Sequence, residues 1–328
     1  MTSPAALDRP EPVSLAALAR QLKATADPLR LQILQLLGYN SFAVQELTEL
    51  LDTTQSGMSH HLKLLAREHW VSNRREGTTV FYRRGLPPAD ASGDLQRTLL
   101  AQLDEQTLEP ELAARLDVIE QRRAAQSRLF FQQLAASGAP MDEIVDLDDY
   151  GELAAEMIRR ACPDGGAEAL EVGPGDGRFL GWLAQQFEHV IGLDNAAGML
   201  AQARQQVAGH SGITLLQGDW PDAAPPRQFD AVVMNMVLHH LPAPAEALLR
   251  AARRLRRGGV LLVSELCRHE QSWTRTRCGD LWQGFDEDEL IAWAQRAGLV
   301  LLESQYLAQR NGFQTQVLSF VHPDDHTH

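Results

Sequence analysis

The stretch Leu170 to Leu180, LEVGPGDGRFL, limits the possible folds of this chain more than any other. An apolar run ends in an acid, Glu171. Gly173, Gly175 and Gly177 then alternate with Pro174 and Asp176 before apolar residues resume at Phe179. That pattern predicts a buried strand turning sharply into a helix, because glycine tolerates positive φ and has no Cβ to keep a ligand away from the backbone. The spacing is G-x-G-x-G, not the dinucleotide G-x-G-x-x-G. Asp176 inside the turn would also repel the phosphate that a helix N-terminus otherwise attracts. The expected ligand therefore lacks phosphate at this point. Glu171 suits an ammonium group. Asp194, at the end of the next predicted strand, is spaced to hydrogen-bond a ribose diol. A ligand with a ribose and an amino-acid end satisfies both acids.

These residues resemble motif I and its following acid in class I S-adenosylmethionine-dependent methyltransferases, and later segments match in order. GDW at Gly218, Asp219 and Trp220 resembles the segment whose acid meets the adenine amino group. FDAVVMNMVLHHL resembles the strand and helix start beneath the methionine moiety, and RRLRRGGVLLVSEL the following helix, Gly-Gly turn and strand. The resemblance covers roughly residue 141 to the C-terminus. It implies S-adenosylmethionine or S-adenosylhomocysteine as cofactor, with contacts from Glu171, Gly173, Gly175, Gly177, Asp194, Asn195, Met199, Gly218, Asp219, Trp220 and Asn235. Short apolar runs alternating with amphipathic segments predict a mostly parallel sheet covered on both faces, and the last helix should be followed by a closing hairpin. The expected C-terminal domain is thus an α/β, Rossmann-like fold.

The N-terminal part is organised differently. Residues 1–12 hold three prolines and few apolar residues, which predicts a mobile arm. Apolar residues then recur at helical spacing, with Asp27 as N-cap and Pro28 at the first helical position. FAVQELTELL follows as a further helix, then QSGMSHHLKLLAREH, capped by Thr53 or Thr54, then two short strands around Arg74, Arg75, Glu76 and Gly77. Short helices followed by a hairpin predict a winged helix-turn-helix. The net charge of −13 argues against nonspecific coating of nucleic acid. Yet the segment from Thr54 to Arg84 is locally basic, which fits a DNA-binding surface. Gln55, Ser56, Ser59 and His60 cluster at the start of the expected recognition helix, flanked by Thr54, Lys63, Arg74, Arg75 and Thr78 as further expected DNA contacts. A helical bundle with a solvated basic face is the alternative.

ATADPLRLQILQLL and QSGMSHHLKLLAREHWVSNRREGTTVFYR are similar to the DNA-binding domain of the ArsR family of bacterial repressors, which are dimeric winged-helix proteins. Many of those release DNA on binding a metal. This chain departs from the metal-sensing pattern, with Ala43 and Gln45 where such sensors carry a cysteine pair. Cys162, Cys267 and Cys278 are scattered singly, so no metal is expected. Pro87 and Pro88 close the wing. Helices from Leu95 to Leu134 either extend a dimer or pack on the chain's own core, and SGAP at 137–140 marks a boundary. The expected domains are therefore an arm (1–12), a winged helix (13–90), linker and dimerisation helices (91–140) and a methyltransferase-like domain (141–328).

His239 is the candidate catalytic base, in VLHHL, with Glu265, Asp280 and Trp282 as candidate lining of an acceptor pocket. The whole architecture resembles ArsR-type regulators of the methionine cycle in proteobacteria, which carry a methyltransferase-like domain and respond to S-adenosylhomocysteine. That resemblance implies a homodimeric repressor on double-stranded DNA. The alternative is an active methyltransferase acting on a small molecule. No segment reaches the roughly 18 apolar residues of a membrane span, so a soluble, cytoplasmic protein without a membrane partner is expected.

Overall fold

The computed structural model describes residues 13–76, 79–88, 90–137 and 144–323. The expected N-terminal arm, Thr78 and most of the SGAP boundary lie outside the described residues. The chain divides into two units, Met1–Ile119 and Glu120–His328.

The first unit begins with α1 (Leu15–Thr25) and α2 (Pro28–Tyr39). Asp27 caps α2 by accepting a hydrogen bond from the Arg30 amide, and Pro28 occupies the first turn, as the sequence predicts. A two-residue strand, β1 (Phe42–Ala43), then precedes α3 (Val44–Leu50) and α4 (Gln55–Arg67). Of the two candidate caps, Thr54 is the one used: its hydroxyl accepts from the Gly57 amide at 3.2 Å. β2 (Val71–Glu76) and β3 (Thr79–Arg84) form the wing, and β1 pairs with β3 to complete a three-stranded sheet. Two residues are too few to show alternation, so β1 was not legible in the sequence. The strands also run further than expected. Arg74, Arg75 and Glu76 look like a charged turn, but they pair in register with Phe81, Val80 and Thr79.

α5 (Ala91–Asp104) follows, and then α6 (Pro110–Ser137), an unbroken helix of 28 residues. Leu112, Leu116 and Ile119 of α6 join a core with Leu34, Leu47, Leu62 and Trp70. The division between units falls within α6, at Ile119.

The second unit continues from α6 through α7 (Leu147–Ala161), β4 (Gly166–Val172), α8 (Arg178–Leu183), β5 (Phe187–Asp194) and α9 (Ala197–Gln206). β6 (Ile213–Gln217), β7 (Phe229–Asn235) and a 3-10 turn at Leu238–His240 come next. α10 (Pro244–Arg253), β8 (Leu255–Leu266), α11 (Thr274–Arg277), α12 (Glu287–Arg296), β9 (Val300–Ala308) and β10 (Gln314–Val321) complete it. The sheet order is β6-β5-β4-β7-β8-β10-β9, parallel except where β10 pairs antiparallel with β8 and β9. The strand order reverses at β4, so a crevice opens beyond the carboxyl ends of β4 and β7. Among the described residues no helix is long and apolar enough to cross a membrane.

Arg84 belongs to the fold of the first unit. Its guanidinium donates to the Leu34 carbonyl and to Asp104, both at 2.7 Å, tying β3 to α2 and α5. Arg84→Ala should lower the unfolding free energy of this unit by about 2 kcal/mol, the scale of two hydrogen bonds from a largely buried charge. Arg75→Ala, at an exposed wing position, should change it by less than ~0.5 kcal/mol. Urea denaturation of the two variants measures the contrast.

Candidate functional sites: a helix-and-wing surface and a pocket at the sheet edge

Helix α4 buries Met58, Leu62 and Leu65 and turns its other side to solvent. Thr54, Gln55, Ser56, His60 and Lys63 are exposed and Ser59 is half-buried, so the polar positions read from the sequence share one surface. Thr54 is partly committed to the cap. His60 is exposed and His61 half-buried, their rings edge to face at 5.9 Å. Arg75 is exposed on the wing, but Arg74 requires a correction. Its side chain is only 2% exposed and pairs with Glu76 at 2.6 Å, so it stabilises the wing and is not presented to a phosphate. Strand alternation puts residues 74 and 76 on one face and 75 on the other, and the pair neutralises two charges that could not be buried singly. Lys63→Ala and Arg75→Ala should each weaken DNA binding at all sequences and lower the salt slope by about one, whereas Arg74→Ala should act mainly through stability. Fluorescence anisotropy over a salt series separates these effects.

In the second unit a cavity of about 410 Å³ lies at the carboxyl edge of the sheet. Glu171, Gly173, Gly175, Asp194, Asn195 and Met199 line it on the β4 and β5 side. Gly218, Asp219, Trp220, Asn235 and His239 line it from β6 and β7 onwards. Gly173 has φ +67°, and a Cβ there would meet a Val237 methyl at 2.6 Å, so only glycine fits. Gly177 is the exception among the expected contacts. It caps α8 at φ +87°, and a Cβ would lie 2.9 Å from Ala203, so its role is the close packing of α8 on α9 and not ligand contact.

Glu171 is 1% exposed. Its Oε1 accepts from Asn235 Nδ2 at 3.1 Å, and Asn235 Oδ1 accepts in turn from the Ser264 hydroxyl at 2.7 Å. Its Oε2 has no hydrogen-bond partner. Burial pushes the carboxyl up to about 8, against the lowering effect of Asn235. Burial likewise raises Asp194 to about 6, opposed by hydrogen bonds from the backbone amides of Ala196, Gly175 and Asn195. Two raised acids facing one cavity favour a ligand bearing an ammonium group and hydroxyls.

Asp219 is engaged by other side chains. Asn195 Nδ2 donates to its Oδ1 at 2.7 Å and Arg128 of α6 to its Oδ2 at 3.0 Å. With Arg128, Gln121, Ala124, Ser127 and Phe131 bring α6 into the lining, which sequence reasoning missed. The available signal was the continuation of the apolar stripe Leu112, Leu116, Ile119 into Arg123 and Ser127, both buried. Arg123 donates to the Pro242 carbonyl at 2.9 Å and lies 5.1 Å over the Trp282 ring.

At the inner end His239 Nδ1 is 2.8 Å from Glu265 Oε2, and its Nε2 lies 3.8 Å from Asp280 Oδ1. Burial alone would lower this histidine. The Glu265 carboxylate, by charge and hydrogen bond, and Asp280 instead carry it up to about 9. His240 is lowered well below the usual range by burial and then by the His239 charge. Of the other acceptor-pocket candidates, Asp280 lines the cavity, while Glu265 supports His239 and Trp282 is buried, its indole donating to the Leu241 carbonyl.

For Glu171 the folded value of about 8 exceeds the unfolded value of 4.5, so the native state holds a proton that the unfolded chain loses. Its contribution to stability should decline as pH rises from about 4.5 to about 8. Glu171→Gln, which keeps an acceptor for Asn235, should flatten that decline by roughly 3–5 kcal/mol. Chemical denaturation at pH 5 and pH 8 provides the comparison.

A family model described as a helix-turn-helix domain matches residues 25–69, and one described as a methyltransferase domain matches residues 170–263. The transcriptional activator HlyU of Vibrio cholerae is 39% identical over 84 residues, 26% of this chain and 78% of that protein. The ubiquinone biosynthesis O-methyltransferase of Alkalilimnicola ehrlichii is 30% identical over 183 residues, 49% of this chain and 72% of that protein. The solved structure of the N-methyltransferase NodS of Bradyrhizobium japonicum with S-adenosylhomocysteine aligns at a TM-score of 0.49 with 20% identity, over 61% of this chain and 100% of that one. Through its first unit the chain belongs to the ArsR-type helix-turn-helix regulators and through its second to the class I methyltransferases, two families fused in one polypeptide.

Proposed function

We propose that the protein is a homodimeric transcriptional repressor whose methyltransferase-like domain binds S-adenosylhomocysteine or S-adenosylmethionine as an effector. The observation that carries this reading is helix α6. Leu112, Leu116 and Ile119 of one unbroken helix belong to the core of the DNA-binding unit, and Arg128, two to three turns on, holds Asp219 in the pocket. An adenine amino group donating to Asp219 enters a carboxylate already shared by Asn195 and Arg128, so occupancy of the pocket acts on α6. A ligand that binds two states of that helix unequally biases DNA affinity by the difference.

Within this reading, Glu171 receives the ligand ammonium, Asp194 the ribose diol and Asn235 the methionine end. Leu15, Leu18 and Leu22 form an exposed apolar face on α1, with Leu15 85% exposed, which a second copy would cover to place two recognition helices on successive half-sites. The resemblance to regulators of the methionine cycle gives the expected targets, genes for hydrolysing the homocysteine form and for making methionine.

A second reading, an active methyltransferase on a small-molecule acceptor, is favoured by the polar cluster of His239, His240 and Asp280 at the inner end of the cavity. DNA binding to the protein's own upstream region, titrated without ligand and with each of the two, separates the readings. A change of about tenfold with one ligand, ~1.4 kcal/mol of coupling, supports the sensor and names its effector. If both ligands bind and neither changes DNA affinity, the enzyme reading takes over. Arg128→Ala should tighten ligand binding, by removing the internal partner of Asp219, and shrink the coupling at least threefold.

A further inference from the structure

Among the described residues, His239, His240 and Asp280 each offer a nitrogen or carboxylate oxygen, and these atoms all lie within 4.8 Å of one another. Asp280 is 2% exposed, and neither of its carboxylate oxygens accepts a hydrogen bond. The Thr274 hydroxyl adjoins the carboxylate without reaching bonding geometry. His239 Nε2 at 3.8 Å and His240 Nδ1 at 3.9 Å both lie beyond hydrogen-bond reach of Oδ1 and close enough to share an ion with it, and the long 3.4 Å contact of His240 Nδ1 with the Gly279 carbonyl is the one bond that coordination would replace. A buried carboxylate with two idle oxygens is costly unless something positive meets it. We propose that His239, His240 and Asp280 form a binding site for a first-row divalent transition-metal ion at the inner end of the pocket.

The donor set selects the ion. Two imidazoles and one carboxylate suit Fe²⁺, Co²⁺ or Zn²⁺ and are a poor match for Mg²⁺, which takes an all-oxygen shell. Glu265 supplies what a metal-bound histidine needs behind it. It holds Nδ1 of His239 at 2.8 Å, fixes the ring and leaves Nε2 directed at Asp280. Coordination replaces the Nε2 proton, which is released to solvent. Three protein ligands leave one or more positions open toward the cavity, since all three residues line it. An oxygen or nitrogen donor on a small molecule would occupy them. The absence of a cysteine pair, which led to the expectation of no metal, says nothing about a histidine–carboxylate site. Here the third ligand is 40 residues away, on the loop after α11. The inference rests on this cluster alone and stands or falls separately from the effector reading.

Full-length protein, stripped with chelator and dialysed against Zn²⁺, Co²⁺ or Mg²⁺ without nucleoside ligand, tests it by elemental analysis. One equivalent of Zn²⁺ per chain and none of Mg²⁺ is expected. Asp280→Asn and His240→Ala should each weaken Zn²⁺ binding at least tenfold, and Glu265→Gln by ten- to a hundredfold. The Co²⁺ form should show the visible absorption of a four- or five-coordinate nitrogen–oxygen site, lost in His240→Ala. Circular dichroism establishes that each variant is folded, and His240→Ala decides the matter if Asp280→Asn is not. Failure of the wild type to bind Zn²⁺ or Co²⁺ stoichiometrically, or full binding retained in His240→Ala and Asp280→Asn, overturns the proposal.

Discussion

A hydrogen-bonded chain across three adjacent strands, Ser264 to Asn235 to Glu171, is the interaction on which the pocket depends. β8, β7 and β4 are neighbours in the sheet, so the chain sets the register of three side chains at its carboxyl edge. It also makes a fully buried acid tolerable. One Glu171 oxygen is satisfied by Asn235 and the other has no hydrogen-bond partner. The glycine turn beginning at Gly173 lets backbone pack closely against Val237. Strand order supplies the crevice, and the chain of polar groups decides what the crevice can hold.

Around this centre the charges divide into those spent on the fold and those held for ligands. Arg74 and Arg84 sit in the basic segment that suggests DNA binding, yet one is buried against Glu76 and the other ties β3 to α2 and α5. Lys63, Arg67 and Arg75 of the same segment are exposed instead. In the pocket, Arg128 and Asn195 occupy Asp219, while Glu171 keeps one oxygen unpaired.

Helix α6, Pro110–Ser137, contributes residues to both units. Its period carries leucines into one hydrophobic core over the first three turns, then places polar and aromatic residues on the lining of the ligand cavity. The buried cluster of His239, Glu265 and Asp280 follows a similar economy. His239 Nδ1 is 2.8 Å from Glu265 and its Nε2 lies 3.8 Å from Asp280, whose own oxygens accept no hydrogen bond.

Local rules were enough to read much of this protein from its sequence. The glycine turn after β4, the cap at Asp27-Pro28, the alternation of strands and helices and the polar start of α4 depend on neighbours within a few residues. The ends of strands β4, β5 and β7 converge whatever the surface does, so the acids Glu171 and Asp194 could be placed in advance. What only the tertiary structure decided involves partners distant in the chain. Arg74 looked like a DNA contact until strand register put it on the inner face with Glu76, and Gly177 like a ligand contact until α9 was packed against it. Arg128 and Asp219 are 91 residues apart and His239 and Asp280 lie on separate loops, so no periodicity announces either meeting. Propensity and spacing act along the chain, whereas pairing of buried charge is fixed by which surfaces fold together.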